Sequence, residues 1–524
     1  MRVKTAEMKY TSQSKQLTID EFRSSLAGLS KTNRWVMLGD HMPWAKIEKL
    51  YNSKLHNKAR GAGNKPARMI IGAVIIKHKL SLSDEETIQM IQENPYMQYF
   101  VGLGEFTDKP IFDPSLFVTI RKRIGEEDFN AMSVSLLEKK LMQMDESENR
   151  NQEEGKGEDP KGDRADGNGE SKEVAGKADL GAAFTDEQGR LHKGVLKIDA
   201  TCSDAEVRYP TDVELVHDGS RTINRYIDKI CEAFGLKRPA SHYSETRYEY
   251  LRLTKKKTKR GKDLKAAMRV MLHSLHSDIQ AFMSLVAPSS EYYDALYQYE
   301  KRTVTAIIKM YHQQVMMITN NVHQCADRII SIFQPHLRPI VRGKAKANVE
   351  FGAKTGTSIY EGYTFIDHLS WNAYNEEADA KLHIELFKGR FSYLPATILS
   401  DKIYMNKANR QLFKDYGIQS YSKPLGRPPK EPRSPEYLAR MSQAVGDRNE
   451  IEATFGTGKR VYRANNIRAK LPDTAASWIG SCYFVKNLMK FLRELCLVLT
   501  EIRRFLAWCA SLSVIVRQPL RLSA

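Results

Sequence analysis

The chain has 524 residues, 41% hydrophobic and 27% charged, enough for two to four domains and at least one large buried core. Its formal charge is +18, with a sequence pI of about 9.4, which favours a polyanionic partner, nucleic acid ahead of a membrane surface or a ribosome. Six scattered cysteines (Cys202, Cys231, Cys325, Cys482, Cys496, Cys509) form no Cys-x-x-Cys pair, which argues against a disulfide framework or a zinc ribbon and fits reduced thiols in a cytoplasmic protein.

Met1 to Phe22 contains no apolar run of signal-peptide length. Residues 1–144 read as a helical N-terminal domain. Met69 to Lys79 is a compact apolar stretch, and Ser83 with Glu86 forms the Ser-x-x-Glu pattern of a capping box. Asp113-Pro114 reads as an N-cap followed by proline at the first helical position. The helix it opens carries Arg121, Lys122 and Arg123, as expected of a DNA-binding head; an ordinary solvated face fits the same residues. Residues 145–180 are dominated by Glu, Asp, Gly, Lys, Asn and Ser, and cannot bury enough apolar area to offset ordering, so they are expected to form a disordered linker.

From about Gly181 the pattern turns strand-like. Gly194 to Asp199 is a short apolar run ending on a carboxylate, followed by a long helical stretch over roughly residues 220–335. Strand patterns return at Asn348 to Lys354 and Tyr363 to Leu369, a helix is expected over Glu376 to Lys388, and a strand over Ala396 to Ser400 leads into Asp401. The most apolar region, Trp478 to Val516, is interrupted by Lys486, Lys490, Arg493, Glu494, Glu501, Arg503 and Arg504. It therefore reads as a buried helical pair and not as a bilayer span. Together these elements predict an α/β domain over 181–219 and 336–524, with a helical insertion at 220–335.

Asp199 and Asp401 each follow a short apolar strand, Val195 to Ile198 and Thr397 to Leu399. Carboxylates at the C-terminal ends of neighbouring strands, joined by a third from a helix, can hold two Mg²⁺ ions and act on a phosphodiester. A turn or cap role is the alternative for either Asp alone. Asp447 to Phe455 looks like a helix start, on which Arg448, Glu452 and Lys459 fall within roughly 40° of one another, while Glu450 lies roughly 200° from Arg448. Gly456 and Gly458 suggest that Lys459 sits just beyond the helix end.

Three blocks carry a family resemblance. Lys197 to Pro210 and Leu399 to Asn409 are similar to the segments bearing the first two aspartates of DDE transposases of bacterial insertion sequences. Arg448 to Lys459 matches the tail of their Tyr-x2-Arg-x3-Glu-x6-Lys pattern, with Val445 in the place of the tyrosine. Ala67 to Arg123 resembles the family's helical domain, and Arg338 to Lys344 and Val349 to Gly352 resemble stretches of its catalytic domain. The resemblance implies an RNase H-like mixed sheet flanked by helices. It implies that Asp199, Asp401 and Glu452 are the catalytic, metal-binding carboxylates for two Mg²⁺ (or Mn²⁺), with Arg448 and Lys459 on DNA phosphates. It further implies cleavage of double-stranded DNA at the element's terminal inverted repeats, strand transfer into target DNA, and work as a homodimer or larger synaptic assembly. The expected location is the bacterial cytoplasm, at the nucleoid, with no membrane partner. A catalytically inactive DNA-binding descendant is the alternative, and a resolvase-type nuclease a third reading.

Leu425 to Lys430 resembles half of a minor-groove hook around Arg427; a proline-stiffened loop fits equally. Lys255 to Arg260 fits a phosphate-tracking cluster or a solvated helix face. His273 and His276 can share a face but lack a third ligand, and His192, His217 and His368 are assigned no role.

Overall fold

The structure, a computed structural model, describes residues 26, 28–55, 63–154, 179–258, 261–341, 349–421 and 434–516, without the side chains of 143–154, 498, 499 and 501–516. The N-terminal part is helical: α1 (Arg34–His41), α2 (Trp44–Ser53), α3 (Ala67–Leu80), α4 (Asp84–Glu93), α5 (Pro95–Phe100), α6 (Leu116–Arg123) and α7 (Glu126–Glu154). The apolar run expected to be compact is α3, buried on nearly every side. The capping box opens α4, the Ser83 hydroxyl accepting from the Glu86 N–H at 3.1 Å and the Glu86 carboxylate from the Ser83 N–H at 2.7 Å.

Two expectations here need correction. Asp113 accepts from the Ser115 N–H at 2.9 Å, but Pro114 lies in the turn that precedes α6 and is not its first residue. Residues 145–154, read as disordered linker, continue α7 as helix, because the Glu, Arg and Gln residues among them have good helical propensity and apolar anchors precede them. The rest of that segment, 155–178, lies outside the described residues, as does the hook around Arg427.

The central sheet has β3 (Val195–Asp204), β4 (Arg338–Val341), β5 (Val349–Tyr360), β6 (Tyr363–Ser370), β7 (Thr397–Leu399) and β8 (Gln419–Ser420), after a small hairpin of β1 (Phe184–Thr185) and β2 (Leu191–His192). β5 runs antiparallel to β3 on one side and to β4 and β6 on the other, while β7 is parallel to β3 and β8 parallel to β7. The sheet is therefore mixed, with β3 at its centre and helices α13 (Ala380–Phe391) and α14 (Lys407–Asp415) between its later strands. A bulge where β5 passes Gly356 and Thr357 leaves Asp367 of β6 without a partner across the ladder. Its buried carboxylate instead meets His383 Nδ1 at 2.6 Å and Arg390 at 2.5 Å on α13.

The helical insertion consists of α8 (Asp212–Phe234), α9 (Tyr243–Thr254), α10 (Gly261–Val286), α11 (Ser290–Asp294) and α12 (Gln298–Thr319). It begins at Asp212, not at Ser220, because the Thr211 hydroxyl caps α8 by accepting from the Glu214 N–H at 3.3 Å. It has its own apolar core, including Ile223, Ile227, Met271, Phe282 and Ile307. A buried Asp278 is bonded there by Ser220, Asn224 and the His242 N–H at 2.7–2.9 Å.

The sheet and the N-terminal helices share one core instead, and the chain's late helices explain why. α15 (Pro435–Arg460) lies across the sheet, and α16 (Pro472–Val516) is a single 45-residue helix where a helical pair was expected. No glycine–proline break divides α16 after Gly480; Lys490, Arg493 and Glu494 lie toward its exposed side, and the buried Lys486 is bonded to the Thr364 hydroxyl at 3.0 Å. Tyr483, Phe484, Leu488 and Phe491 of α16 join Phe129 and Leu136 of α7, Ile75 of α3 and Phe365 of β6 in the same apolar cluster. Two asparagines seal this contact. Asn487 of α16 accepts from the Thr364 N–H at 2.9 Å and donates to the Thr364 carbonyl at 2.7 Å. Asn130 of α7 does the same for Ile366, at 3.0 and 2.6 Å. The outward backbone groups of β6, otherwise an open sheet edge, are thereby satisfied by two side chains. Among the described residues no helix is long and apolar enough to cross a membrane.

Candidate active site

Asp199 lies in the middle of β3 and not at its end, since the strand continues to Asp204. The pairing of β3 with β7 matches Val195 to Thr397 and Lys197 to Leu399. The same offset carried two residues past β7 sets Asp401 level with Asp199, about 5 Å away across adjacent strands. Asp401 begins a short 3-10 turn there, its carboxylate accepting from the Lys402 N–H at 2.7 Å. The Asp199 carboxylate accepts from the Ala200 N–H at 2.8 Å.

The third group comes from α15. Residues 447–455, expected to start a helix, lie in its interior; the start is at Ser434, whose hydroxyl accepts from the Tyr437 N–H at 3.3 Å, with Pro435 at the first position. Ile451 and Thr454 are buried against the sheet, and Arg448 and Glu452 lie to one side of that buried line. The Arg448 guanidinium reaches all three acids: one nitrogen stands 3.8 Å from Asp199, 3.9 Å from Asp401 and 4.0 Å from Glu452. These are ion-pair distances without direct hydrogen bonds, and the buried Nε of Arg448 has no hydrogen-bond partner.

Burial grades across the site. Asp199 is largely enclosed, Asp401 is half-exposed and Glu452 is on the rim. Enclosure raises the Asp199 pKa to about 6; the bond from Ala200 and the Arg448 charge work against this, and the Glu376 and Asp401 charges add to it. Glu376 is thus a fourth carboxylate near the site, held by Lys354 at 2.9 Å, where the sequence marks only a helix start. Its one local signal is the Asn375-Glu376-Glu377 cap after β6, which does not say where the turn points.

The other named residues fall elsewhere. Glu450 leaves the group and pairs with Lys197 of β3 at 2.5 Å. Lys459 is in the last turn of α15 and not beyond it, about 10 Å along the axis from Glu452. The helix survives Gly456 and Gly458 because Gly458 sits where a Cβ would come within 3.1 Å of the Tyr483 ring on α16, so close packing compensates its weak propensity. Val445 is exposed. In the N-terminal helices Arg121 makes a two-pronged ion pair with Asp84, both contacts 2.9 Å, so its fork is spent inside the protein. Arg123 is within 3.4 Å of the Tyr51 hydroxyl, and Lys122 is exposed. In the basic cluster Lys256 pairs with Asp263 at 2.5 Å, while 259 and 260 lie outside the described residues. His276 stacks on Tyr311, His217 on Tyr250, and His192 and His368 pair with Asp186 and Asp379.

The donor set at Asp199, Asp401 and Glu452 is all carboxylate oxygen, the chemistry of a hard divalent cation. With Arg448 between them the acids are not within mutual ligand distance. Among the described residues the group whose ligand atoms lie within 4.8 Å of one another is Cys202, Asp204 and Glu350, farther along β3.

Comparison with known proteins bears on both halves of this arrangement. Residues 24–123 match a Transposase domain (DUF772), and residues 398–489 match a Transposase DDE domain that includes Asp401, Arg448, Glu452 and Lys459. Asp199 lies outside both matches. An uncharacterized protein, ORF8 in the nfe locus of Rhizobium meliloti, is 31% identical over 123 residues, 23% of this chain and 58% of the relative, so the chain spans less than two thirds of that relative. No solved structure matches. A transposase domain matched in its N-terminal helices and a DDE transposase domain matched across the second half of the acidic site together support a DDE transposase of the insertion-sequence type.

Proposed function

We propose that the chain cleaves DNA at the ends of its element and joins the freed strands to target DNA, using Asp199, Asp401 and Glu452. The observation that carries this reading is their convergence, from β3, the end of β7 and α15, on one nitrogen of Arg448 within 4.0 Å. Bound divalent ions, Mg²⁺ or Mn²⁺, would supply activation of the attacking oxygen and stabilisation of the leaving one.

The protein's own contribution is placement. Asp199, on the central strand, is fixed by its pairing with Thr357 of β5, two residues past the β7 ladder, and Asp401 by its cap on Lys402. Glu452, exposed on the rim, is free to adjust to an incoming strand. In the first step water attacks phosphorus and the bond to the 3′-oxygen breaks, leaving a 3′-hydroxyl at the element's end. In the second that hydroxyl attacks a target phosphodiester, and the target's own 3′-oxygen leaves. Arg448, Lys459 and Lys122 are the basic groups assigned to DNA phosphates; the partner is double-stranded DNA, and pairing two ends calls for at least a dimer. The mixed sheet with β5 antiparallel supports an RNase H-like assignment for this domain.

The test is incubation of the purified protein with a fragment bearing the element's inverted repeats, with Mg²⁺, Mn²⁺ or EDTA. Metal-dependent nicking followed by joined products supports the reading. Tight binding without nicking, while a known transposase cuts its own ends under the same conditions, favours the inactive DNA-binding descendant that the exposed Val445 leaves open.

A further inference from the structure

We propose that Arg448 is a built-in counter-ion that holds the acidic site closed to metal until it swings away. The inference rests on the reading of Asp199, Asp401 and Glu452 as the cation-holding set. Three features of the geometry support it.

The first is position. One guanidinium nitrogen is nearly equidistant from three carboxylates, at 3.8, 3.9 and 4.0 Å, so the cation stands in the space those acids enclose. The second is looseness. A committed arginine–carboxylate pair closes to about 2.8 Å through two parallel hydrogen bonds, as arginines do throughout proteins. Arg121 does this with Asp84 at 2.9 Å in this chain, whereas Arg448 makes no such bond with any of its three acids. The third is an unmet donor. The Arg448 Nε–H is buried without a partner, a cost that a rotated side chain bonded to a phosphate oxygen would remove.

Charge decides the direction. Without Arg448 the three carboxylates place three negative charges in a partly enclosed site, and the guanidinium offsets one of them. A divalent cation in the same space repels the guanidinium, so cation and arginine compete for the acids. The outgoing guanidinium keeps its planar fork, suited to a phosphate oxygen pair. Cation entry and release of a phosphate-binding group are then one event. This makes Arg448 a positioning residue whose substitution should strengthen metal binding, opposite to what loss of a purely structural contact would do.

The experiment measures Mn²⁺ binding to the full chain by electron paramagnetic resonance, without DNA, for wild type, Arg448→Gln, Arg448→Lys and Asp199→Asn, each checked for a wild-type circular dichroism spectrum. The expected result is affinity about tenfold or more higher in Arg448→Gln, near wild type in Arg448→Lys, and lost in Asp199→Asn. Equal or weaker Mn²⁺ binding by Arg448→Gln, with loss in Asp199→Asn, overturns the counter-ion inference and leaves the carboxylate site standing. Unchanged binding in Asp199→Asn overturns the site reading itself. Should Arg448→Gln fail to fold, Arg448→Met replaces it under the same criteria.

Discussion

Glu450 and Glu452 stand on opposite flanks of the buried Ile451 of α15, each about 100° around the helix from it. Glu450 reaches Lys197 at 2.5 Å, and Glu452 stands 4.0 Å from Arg448. Two adjacent acids of like chemistry are thereby given different partners by the pitch of one helix. Glu452→Gln is expected to lower metal-dependent cleavage by orders of magnitude while DNA binding persists. Glu450→Gln should leave cleavage within a few-fold and cost about 0.5–1 kcal/mol of stability, as a partly exposed ion pair does. Both are read on one end-bearing fragment; equal loss of cleavage in both variants would defeat the assignment.

The two asparagines on β6 predict a stability effect far from any chemistry. Asn487→Ala leaves the Thr364 N–H and carbonyl buried without their partner, at a cost of about 3 kcal/mol. Urea denaturation measures it. A change under 1 kcal/mol would mean that water reaches this edge and that α16 does not seal it.

His78 sets an acid limit. It is buried on α3 against Ser481, Cys482 and Trp478 of α16, and burial, aided by the Lys77 and Arg121 charges, lowers its pKa to about 3. The unfolded chain, with a pKa near 6.5, therefore binds the proton first. Stability from the neutral ring is complete above pH 6.5 and declines as pH falls toward 3. Between pH 7.5 and 5 this one group should account for about 2 kcal/mol of lost stability. In His78→Gln the decline over that interval should be smaller by that amount; an identical decline would show that the ring protonates in the folded state.

Lys122 and Arg121 separate electrostatic docking from structure. DNA affinity should fall steeply with salt, and if Lys122 meets a phosphate, Lys122→Ala should reduce the log–log slope by about 0.9. Arg121→Gln should instead lower the melting temperature by breaking the pair with Asp84, without changing the slope. A slope lost only with Arg121 would reverse the two roles.

Local patterns were readable where a short stretch decides its own structure. The capping box at Ser83, the run into Asp401 and the strands around Tyr363 are of this kind. Ser434-Pro435 is an equally legible helix start and opens α15 well ahead of the expected start at Asp447. The continuation of β3 through Asp204 was hidden because its second half is small and polar, and is held by pairing with β5 residues more than 140 positions away. Asn130 and Asn487 had no local signal, since each finds its partner backbone across the fold. Glu376 is the same case at the site: its nearness to Asp199 depends on a turn after β6 that no periodicity foretells.

The order in which α16 joins the core has a consequence for synthesis. The helices of residues 34–154 and the strands from β3 to β8 all precede it in the chain, yet the cluster they share closes only when Ile479 to Phe491 arrive. While the ribosome is still making α15, Thr364 has yet to meet Asn487, and the faces of α3, α7 and β6 that α16 covers are bare. Such a nascent chain exposes a strand edge and apolar surface open to mispairing. The acids of β3 and β7 are synthesised early, but the scaffold that holds them in register with the N-terminal helices is finished only by α16.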